Sequence, residues 1–358
     1  MRVLIWIVVL VALLVGGLWL GGESWLAGRA TAMIDQREDV AASAVTPLRE
    51  TRRIGLRADQ VEVTGQLRGA AVEMTLPWVD LWVPPTAPVE LHATLPETAQ
   101  LLLDGQPVAA QMQAAQMFLR VSPTKNMAVS RVNLSSGAVD LAGQPLLRAV
   151  SVNARLASLG HDAPAAAGAA YDVDLALDGL DPAVMAGLGL PPLVVPGQVG
   201  LQGQARVWLD AAPGRGMLQG QREQVRPVGF RSDGMELRIG DLTARLVGEV
   251  LTDDRGLPTG RLALYSTDGQ AWLKAASDAG LMPAAGVSFG NVVLNGLSQF
   301  PMEPVQKEGA EVPTAPARPG FTFPAPAEGE TRLPLFLRDG KLFLGAIPIA
   351  RLPGSRKG

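Results

Sequence analysis

The sequence predicts a mainly β fold, of the β-rich α+β class, in which an N-terminal transmembrane helix precedes a large curved antiparallel sheet with a few short helices. Three observations predict it. The chain opens with a long uncharged apolar run, its later segments alternate apolar and polar residues with a period of two, and glycine-containing turns separate those segments. The sheet is therefore expected to consist of hairpin and meander units.

The composition excludes several classes of site. The chain has 358 residues, of which 47% are apolar and none is cysteine. Disulfides, thiolate zinc sites, iron–sulfur clusters, a cysteine nucleophile and lipid attachment to a cysteine are thereby excluded. The net charge of −3 gives no overall electrostatic case for binding nucleic acid. Any attachment to a membrane must come from the polypeptide itself.

The first predicted element is a transmembrane anchor at residues 1–22. The run from 3 to 22 carries no charge, and twenty helical residues rise about 30 Å, the thickness of the hydrocarbon core of a bilayer. Tryptophans flank the run, where interfacial aromatic residues belong: Trp6, Trp19 and Trp25. Arg2 favours a cytoplasmic N-terminus, so we expect a single-pass protein of a bacterial inner membrane with most of its chain in the periplasm.

A cleaved signal peptide is the rival interpretation of this run. A small-x-small site exists at Ala30-Thr31-Ala32, but it lies well beyond the end of the run, and the run is longer than the apolar part of an ordinary signal peptide. We therefore predict that the segment is kept as a signal anchor. Residues 23–45 are rich in helix formers and are predicted to continue the helix out of the membrane.

A β-rich periplasmic domain is predicted for residues 46–300. Its alternating runs are 61–69, 150–156, 171–179, 199–210, 235–239, 242–250 and 261–265. Short helices are predicted at 181–189, capped by Asp181, and at 268–280, ended by Gly280, with 287–299 as a candidate continuation of the second. Turn signals stand between strand-like runs at Asp104-Gly105, Ser136-Gly137, Asp233-Gly234 and Asp339-Gly340.

Three of these turns open a weak internal echo. SGAVDLAGQPL (136–146), DGMELRIGDLT (233–243) and DGKLFLGAIPI (339–349) share an opening turn, an alternating run, a second glycine and another short run. The variable spacing between the two glycines indicates a meander unit and not a fixed-period repeat.

The C-terminal region combines a linker with a last hairpin. Residues 301–330 hold seven prolines without apolar periodicity, which predicts an extended, largely disordered Pro-rich linker. Residues 331–353 predict a hairpin that completes the β domain. We expect the linker to let this hairpin return to a sheet edge remote from residue 300 and to protect that edge from aggregation.

No motif in the sequence carries recognisable chemistry. His92 and His161 have no metal-ligand spacing and are interpreted as structural. Asp172, Asp174 and Asp178 fall on the polar face of one predicted strand, which explains them better than calcium binding does. We therefore predict a non-enzymatic protein with no catalytic residue, cofactor or metal.

Two groups of residues are candidates for contact with lipid. Trp78 and Trp82 fall on one side of a strand or helix, and they either pack in the core or contact an apolar ligand or a membrane. A basic stretch contains Arg49, Arg52 and Arg53, together with Arg57. These arginines either contact anionic head groups near the bilayer or form a solvated face.

The predicted strands carry more apolar surface than the predicted helices cover. Either the sheet closes on itself as a sandwich, or an open apolar groove remains that suits acyl chains. The first function hypothesis is therefore an envelope protein that binds lipid or another apolar ligand in this groove. The alternative is a non-enzymatic scaffold or assembly factor of the bacterial cell envelope.

The later half of the chain resembles a known family. TARLVGEVLTDDRGLPTGRLALY (243–265), the Trp-bearing helix after it and LPLFLRDGKLFLGAIPIARLP (333–353) look like the uncharacterised alphaproteobacterial family catalogued as domain of unknown function 2125. This resemblance implies an anchored, periplasm-facing β-rich protein of unsettled role and carries over no catalytic residue. The meander units are more distantly similar in style to AsmA-like envelope proteins, which implies lipid handling only by analogy.

Overall fold

Strands dominate the structure. The computed structural model describes residues 28, 30–32, 34, 39–50, 52–67, 70–103, 105–187, 195–214, 225–253, 255–279, 294, 296, 298–302 and 321–351. Within these ranges lie twenty strands and two α-helices with both ends defined, which confirms the mainly β prediction. The chain divides into two compact units. Unit 1 holds residues 1–156, 176–192 and 212–225, and unit 2 holds 157–175, 193–211 and 226–358.

Unit 1 is built around two long paired strands, β3 and β4. Its strands are β1 (Val40–Ala41), β2 (Ala44–Glu50), β3 (Arg53–Leu67), β4 (Ala70–Val83), β5 (Glu90–Thr94), β6 (Thr98–Leu103), β7 (Gln106–Met112), β8 (Gln116–Ser122), β9 (Ala128–Ser136), β10 (Val139–Leu141), β11 (Gln144–Leu147) and β12 (Ala149–Ala157). β13 (Ala169–Leu180) has residues in both units and leads into α1 (Pro182–Gly187), whose first turn is capped by Asp181.

The antiparallel sheet of unit 1 divides at β4. The second half of β4 pairs with β5, which continues through β8 and β9 to β12, whereas its first half pairs with β6, which continues through β7 and β10 to β11. Each branch has its own apolar cluster. One cluster contains Leu56, Leu81 and Leu119, and the other contains Leu76 with Val184 of α1. The long strands β3 and β4 therefore serve two cores.

Only part of the predicted N-terminal helix lies within the described residues. The anchor predicted at 1–22 lies outside the described residues, and in the described part of the chain no helix is long and apolar enough to span a membrane. Residues 28, 30–32 and 34 are helical, as predicted. The helix predicted to continue to residue 45 is wrong at its end, because Val40 pairs with Val63 in β1 and β2 begins at Ala44.

Unit 2 is a plain antiparallel meander in which each strand pairs with the next along the chain. Its strands are β14 (Val199–Leu209), β15 (Pro227–Ile239), β16 (Leu242–Thr252), β17 (Pro258–Ser266), β18 (Thr331–Arg338), β19 (Lys341–Leu344) and β20 (Ile347–Arg351). The predicted helix at 268–280 is α2 (Gly269–Asp278), which Asp268 caps through the backbone N–H of Ala271 at 2.9 Å. α2 packs Trp272 and Leu273 against the apolar face of this sheet.

The echo found in the sequence marks three hairpins. Its second glycine is Gly143, Gly240 or Gly345, and each adopts a left-handed φ in the turn between paired strands. The turn predicted at Asp233-Gly234 is wrong, because these residues lie inside β15 at a bulge. The buried Ser232 hydroxyl stabilises the bulge by donating to a backbone carbonyl of β16 and accepting a backbone N–H.

The C-terminal segment joins the sheet as expected, but the reason proposed for the linker is wrong. β18 pairs with β17 along its length. Residue 300 is nevertheless close to that edge, because Arg332 donates hydrogen bonds to the carbonyl oxygens of Ser298 and Phe300, at 2.9 and 3.1 Å. No remote edge has to be reached.

The last ten residues of the predicted linker are packed against the sheet of unit 2. Phe321 and Phe323 contact the cluster formed by Val247, Ala263 and Tyr265. Their apolar rings thereby exclude water from that face of the sheet. The Tyr265 hydroxyl donates to the carbonyl oxygen of Pro324 at 2.7 Å, and Glu330 pairs with Arg245. Residues 301–302 of the linker are described as well, whereas residues 303–320 lie outside the described residues. We call residues 321–330 the strap.

Substitution of Gly55 tests the close approach of β3 and β4. A Cβ on Gly55 would lie 2.7 Å from the Cα of Trp82 and would also clash with the carbonyl oxygen of Leu81. We predict that Gly55→Ala lowers the free energy of unfolding by roughly 1–3 kcal/mol, measured by urea denaturation. Gly65→Ala in the same strand is the matched control, since a Cβ there meets nothing within 4 Å. Equal effects of the two substitutions would contradict the assignment.

Shortening the segment between the two contacts of Arg261 tests the role of the linker. Arg261 donates to the carbonyl oxygen of Met302 and lies over the ring of Phe323, so the segment 303–320 leaves and re-enters the same neighbourhood. Deleting ten residues from it should change the free energy of unfolding by less than about 0.6 kcal/mol. Phe323→Ala should instead cost roughly 1–3 kcal/mol, because it removes packed aromatic area. Comparable losses for both variants would refute this view.

Candidate functional site

The face of β3, β4, β5 and β8 that points away from the Leu56–Leu81 cluster carries the most distinctive side chains of unit 1. Successive residues of a strand point to opposite sides of a sheet, so the neighbours of core leucines must lie on this second face. Its members are Arg53, Arg57, Trp78, Asp80, Trp82, His92 and Phe118. We call this set the Arg–Trp face.

An ion pair lies at the centre of the Arg–Trp face. Arg57 stands directly opposite Asp80 and donates from Nε and Nη2 to the two carboxylate oxygens, at 2.6 and 2.8 Å. Asp80 is only 4% exposed, whereas the Arg57 side chain is 42% exposed. The Asp80 hydrogen bonds raise the pKa of Arg57. A buried carboxylate needs such a partner, so this pair fixes the position of the guanidinium group.

Each tryptophan of the face lies beside an arginine. The Arg57 guanidinium lies 4.9 Å from the centre of the Trp78 ring, and that of Arg53 lies 5.7 Å from Trp82. Arg53 is itself held by Glu50, which accepts two hydrogen bonds of 2.7 Å. The face thus contains two modules of the same kind, each with an arginine, a carboxylate and a tryptophan.

An aromatic row crosses the strands from Trp82. The ring of His92 stacks on Trp82 with centroids 4.2 Å apart and planes 11° apart, and Phe118 follows at 5.1 Å from His92. Cross-strand register brings these three residues together, since Trp82 pairs with His92 and His92 with Phe118. Burial lowers the pKa of His92, and the charge of Glu90 opposes this effect.

The residues predicted from the sequence to contact lipid lie in different environments. Trp78 and Trp82 share one side of a strand, as predicted, and both are half-buried outside the apolar clusters. Arg53 lies with them. Arg52 is exposed in the β2–β3 turn and forms no ion pair with another described residue, and the side chain of Arg49 lies outside the described part. Contact of any of these residues with lipid stays a prediction.

Sequence reasoning missed two members of the face. Asp80 was not identified as the partner of Arg57, and Phe118 was not identified at all. A charged residue between the two tryptophans of PWVDLWV was the available signal, because a lone carboxylate in an apolar run needs a cation. No local signal pointed to Phe118, which reaches the face through the pairing of β5 with β8.

Two of the three aspartates of β13 form ion pairs. Asp172 accepts from Arg206 at 2.8 Å, and Asp178 accepts from Arg148 at 3.0 Å. Among the described residues no three potential ligands are grouped for a metal ion.

Unit 2 contains a small mixed cavity beneath the strap. Its volume is about 220 Å³, and its lining includes Glu249, Arg261, Phe321 and Phe323. Pockets that enclose drug-sized ligands have roughly 300–1,000 Å³. This cavity is therefore too small for an acyl chain of ordinary length.

The lowered pKa of His92 predicts a pH-dependent component of stability. Below the ordinary pKa of 6.5, the unfolded chain binds this proton more readily than the folded chain does. Stability should therefore fall as the pH drops through 6.5, and His92→Gln should remove that component in urea denaturation at pH 7.5 and 5.5. His161→Gln, at an exposed position, is the control and should retain it. An unchanged pH profile in His92→Gln would contradict the prediction.

Comparison with known proteins identifies the family of the chain and no individual relative. No curated protein and no solved structure matches it. One family model matches residues 19–353, which is nearly the whole chain and includes the segments that carry the resemblance seen in the sequence. The chain belongs to the family described as "Uncharacterized protein conserved in bacteria (DUF2125)".

Proposed function

We propose that this chain is a non-enzymatic, membrane-anchored protein of the bacterial envelope whose unit 1 binds lipid at the level of the head groups through the Arg–Trp face. The anchor is the apolar run 3–22, and the bulk of the chain lies in the periplasm, as argued from the charge at the N-terminus. The observation that carries the proposal is the pair of arginine–tryptophan modules outside the apolar cores.

The two modules have the chemistry of a membrane–water interface. Trp78 and Trp82 are half-buried rings with a polar edge, the side chains that are enriched where apolar and aqueous regions meet. Arg57 follows Arg53 by four positions of one strand, which is about 13 Å. The Nη1 groups of both arginines are not used in the described hydrogen bonds and remain donors for phosphate or carbonyl oxygens.

The apolar faces of the sheets favour surface contact over an acyl groove. Ala30 and Ile34 cover the cluster that contains Leu81, and α2 covers that of unit 2 with Trp272. The described cavity is small and partly polar. Lipid binding on a face, and not inside a groove, is therefore the form of the hypothesis that these packing contacts support.

A second candidate function is a scaffold or assembly factor. Tryptophan and arginine are also the residues that dominate protein–protein interfaces. The aromatic row continues into polar side chains, with Asn133 donating to Asn153 at 2.8 Å, and such a surface suits a partner that offers hydrogen bonds. This candidate uses the same face with a protein in place of lipid.

Vesicle flotation with the chain from residue 23 onward tests the proposal. Replacing Trp78 and Trp82 by alanine should weaken binding to phospholipid vesicles roughly tenfold per tryptophan, because each removes apolar area from the contact. Raising the salt from 0.15 to 0.5 M should matter little, since Arg53 and Arg57 are already paired with carboxylates.

The matched control is Phe343→Ala in unit 2, a ring that lies 4.3 Å from Arg338. It should leave vesicle binding unchanged. Equal binding by the double tryptophan variant and the parent chain would refute the lipid contact. An envelope protein that co-purifies with the parent chain and is lost from the double variant would support the scaffold instead.

A further inference from the structure

The helical residues at the start of the described chain belong to the core of unit 1. Ala30 is 1% exposed and Ile34 is 6% exposed, and a separation of four residues places them on one face of a helix. Gly28, Thr31 and Ala32 are exposed. The segment therefore has one buried and one solvated side.

The buried side packs on the sheet. Ala30 and Ile34 lie in the cluster that also contains Leu56, Leu81 and Leu119, which come from β3, β4 and β8. These strands place the Arg–Trp face on their other side. The helix is thus the layer that covers the core side of the central strands of unit 1.

The same residues form the small-x-small site of a signal peptide. Cleavage after Ala32 would separate Ala30 from the sheet and expose the apolar side chains it covers. Proteolytic processing also requires an accessible segment without buried side chains or helical hydrogen bonds. Once unit 1 has folded, the packing of Ala30 therefore opposes processing at this site.

We infer that unit 1 folds onto the helix that leaves the apolar run, so that the mature chain keeps residues 3–32 and stays tied to its membrane. Of the proposed function, this inference uses only the anchor at 3–22. Ala30 follows Gly22 by eight positions, a distance of at most about 28 Å when the chain is extended.

Thiol labelling of the full chain tests the packing, because the protein has no cysteine of its own. Ala30→Cys should react with a maleimide roughly 100-fold more slowly than Ala32→Cys, since labelling at position 30 requires local opening of the core. Unfolding both variants in urea should equalise their rates. Equal rates in the folded protein would overturn the inference.

The intact mass of the full chain recovered from bacterial membranes tests retention directly. We expect a mass that includes residues 3–32, and a product that begins at Met33 would overturn the inference. Equal vesicle binding by the parent chain and Trp78→Ala/Trp82→Ala would refute the lipid contact and leave the labelling and mass results unaffected, whereas a product that begins at Met33 would also remove the anchor from the proposed function. Ile34→Asp should lower the unfolding midpoint far more than Ala32→Asp, and equal shifts would also contradict the packing.

Discussion

The register between β3 and β4 is the constraint on which unit 1 depends. It sets Arg57 opposite Asp80, Leu56 opposite Leu81 and Gly55 opposite Trp82. A slip of one residue would turn the charged pair into the core and the leucines outward, at a cost of several kcal/mol for the buried charges alone. Pairing of apolar residues on one face thus also assembles the polar and aromatic residues on the other.

Stability alone does not account for the Arg–Trp face. The Arg53–Glu50 pair is solvent-exposed on both sides, and such pairs contribute at most about 1 kcal/mol. Arg57 takes the place of water around the buried carboxylate of Asp80. An apolar pair of similar size would fill the same space without the cost of burying a charge. The pair therefore sets the strand register more than it adds stability, and the exposed side of Arg57 is left for the contact proposed above.

Unit 2 shows the same side-chain chemistry in a different setting. Arg231 lies over Phe321 and Arg261 over Phe323, and both phenylalanines belong to the strap. In unit 2 the strap supplies the aromatic partners and covers these two arginines of the sheet. In unit 1 the described contacts of Trp78 and Trp82 are to side chains of their own sheet. That difference is the reason to seek an external partner for unit 1.

The mainly β class, most strand positions of unit 2, the helix at 268–280 and the meander units marked by Gly143, Gly240 and Gly345 follow from the sequence alone. These features depend on alternation, capping and left-handed glycine, all of which are local. The partners of Arg57 and His92, the bulge at Gly234 and the packing of the strap depend instead on the three-dimensional arrangement of the strands. Those features depend on which strands lie side by side, and cross-strand contacts between distant segments leave no periodic trace in the sequence.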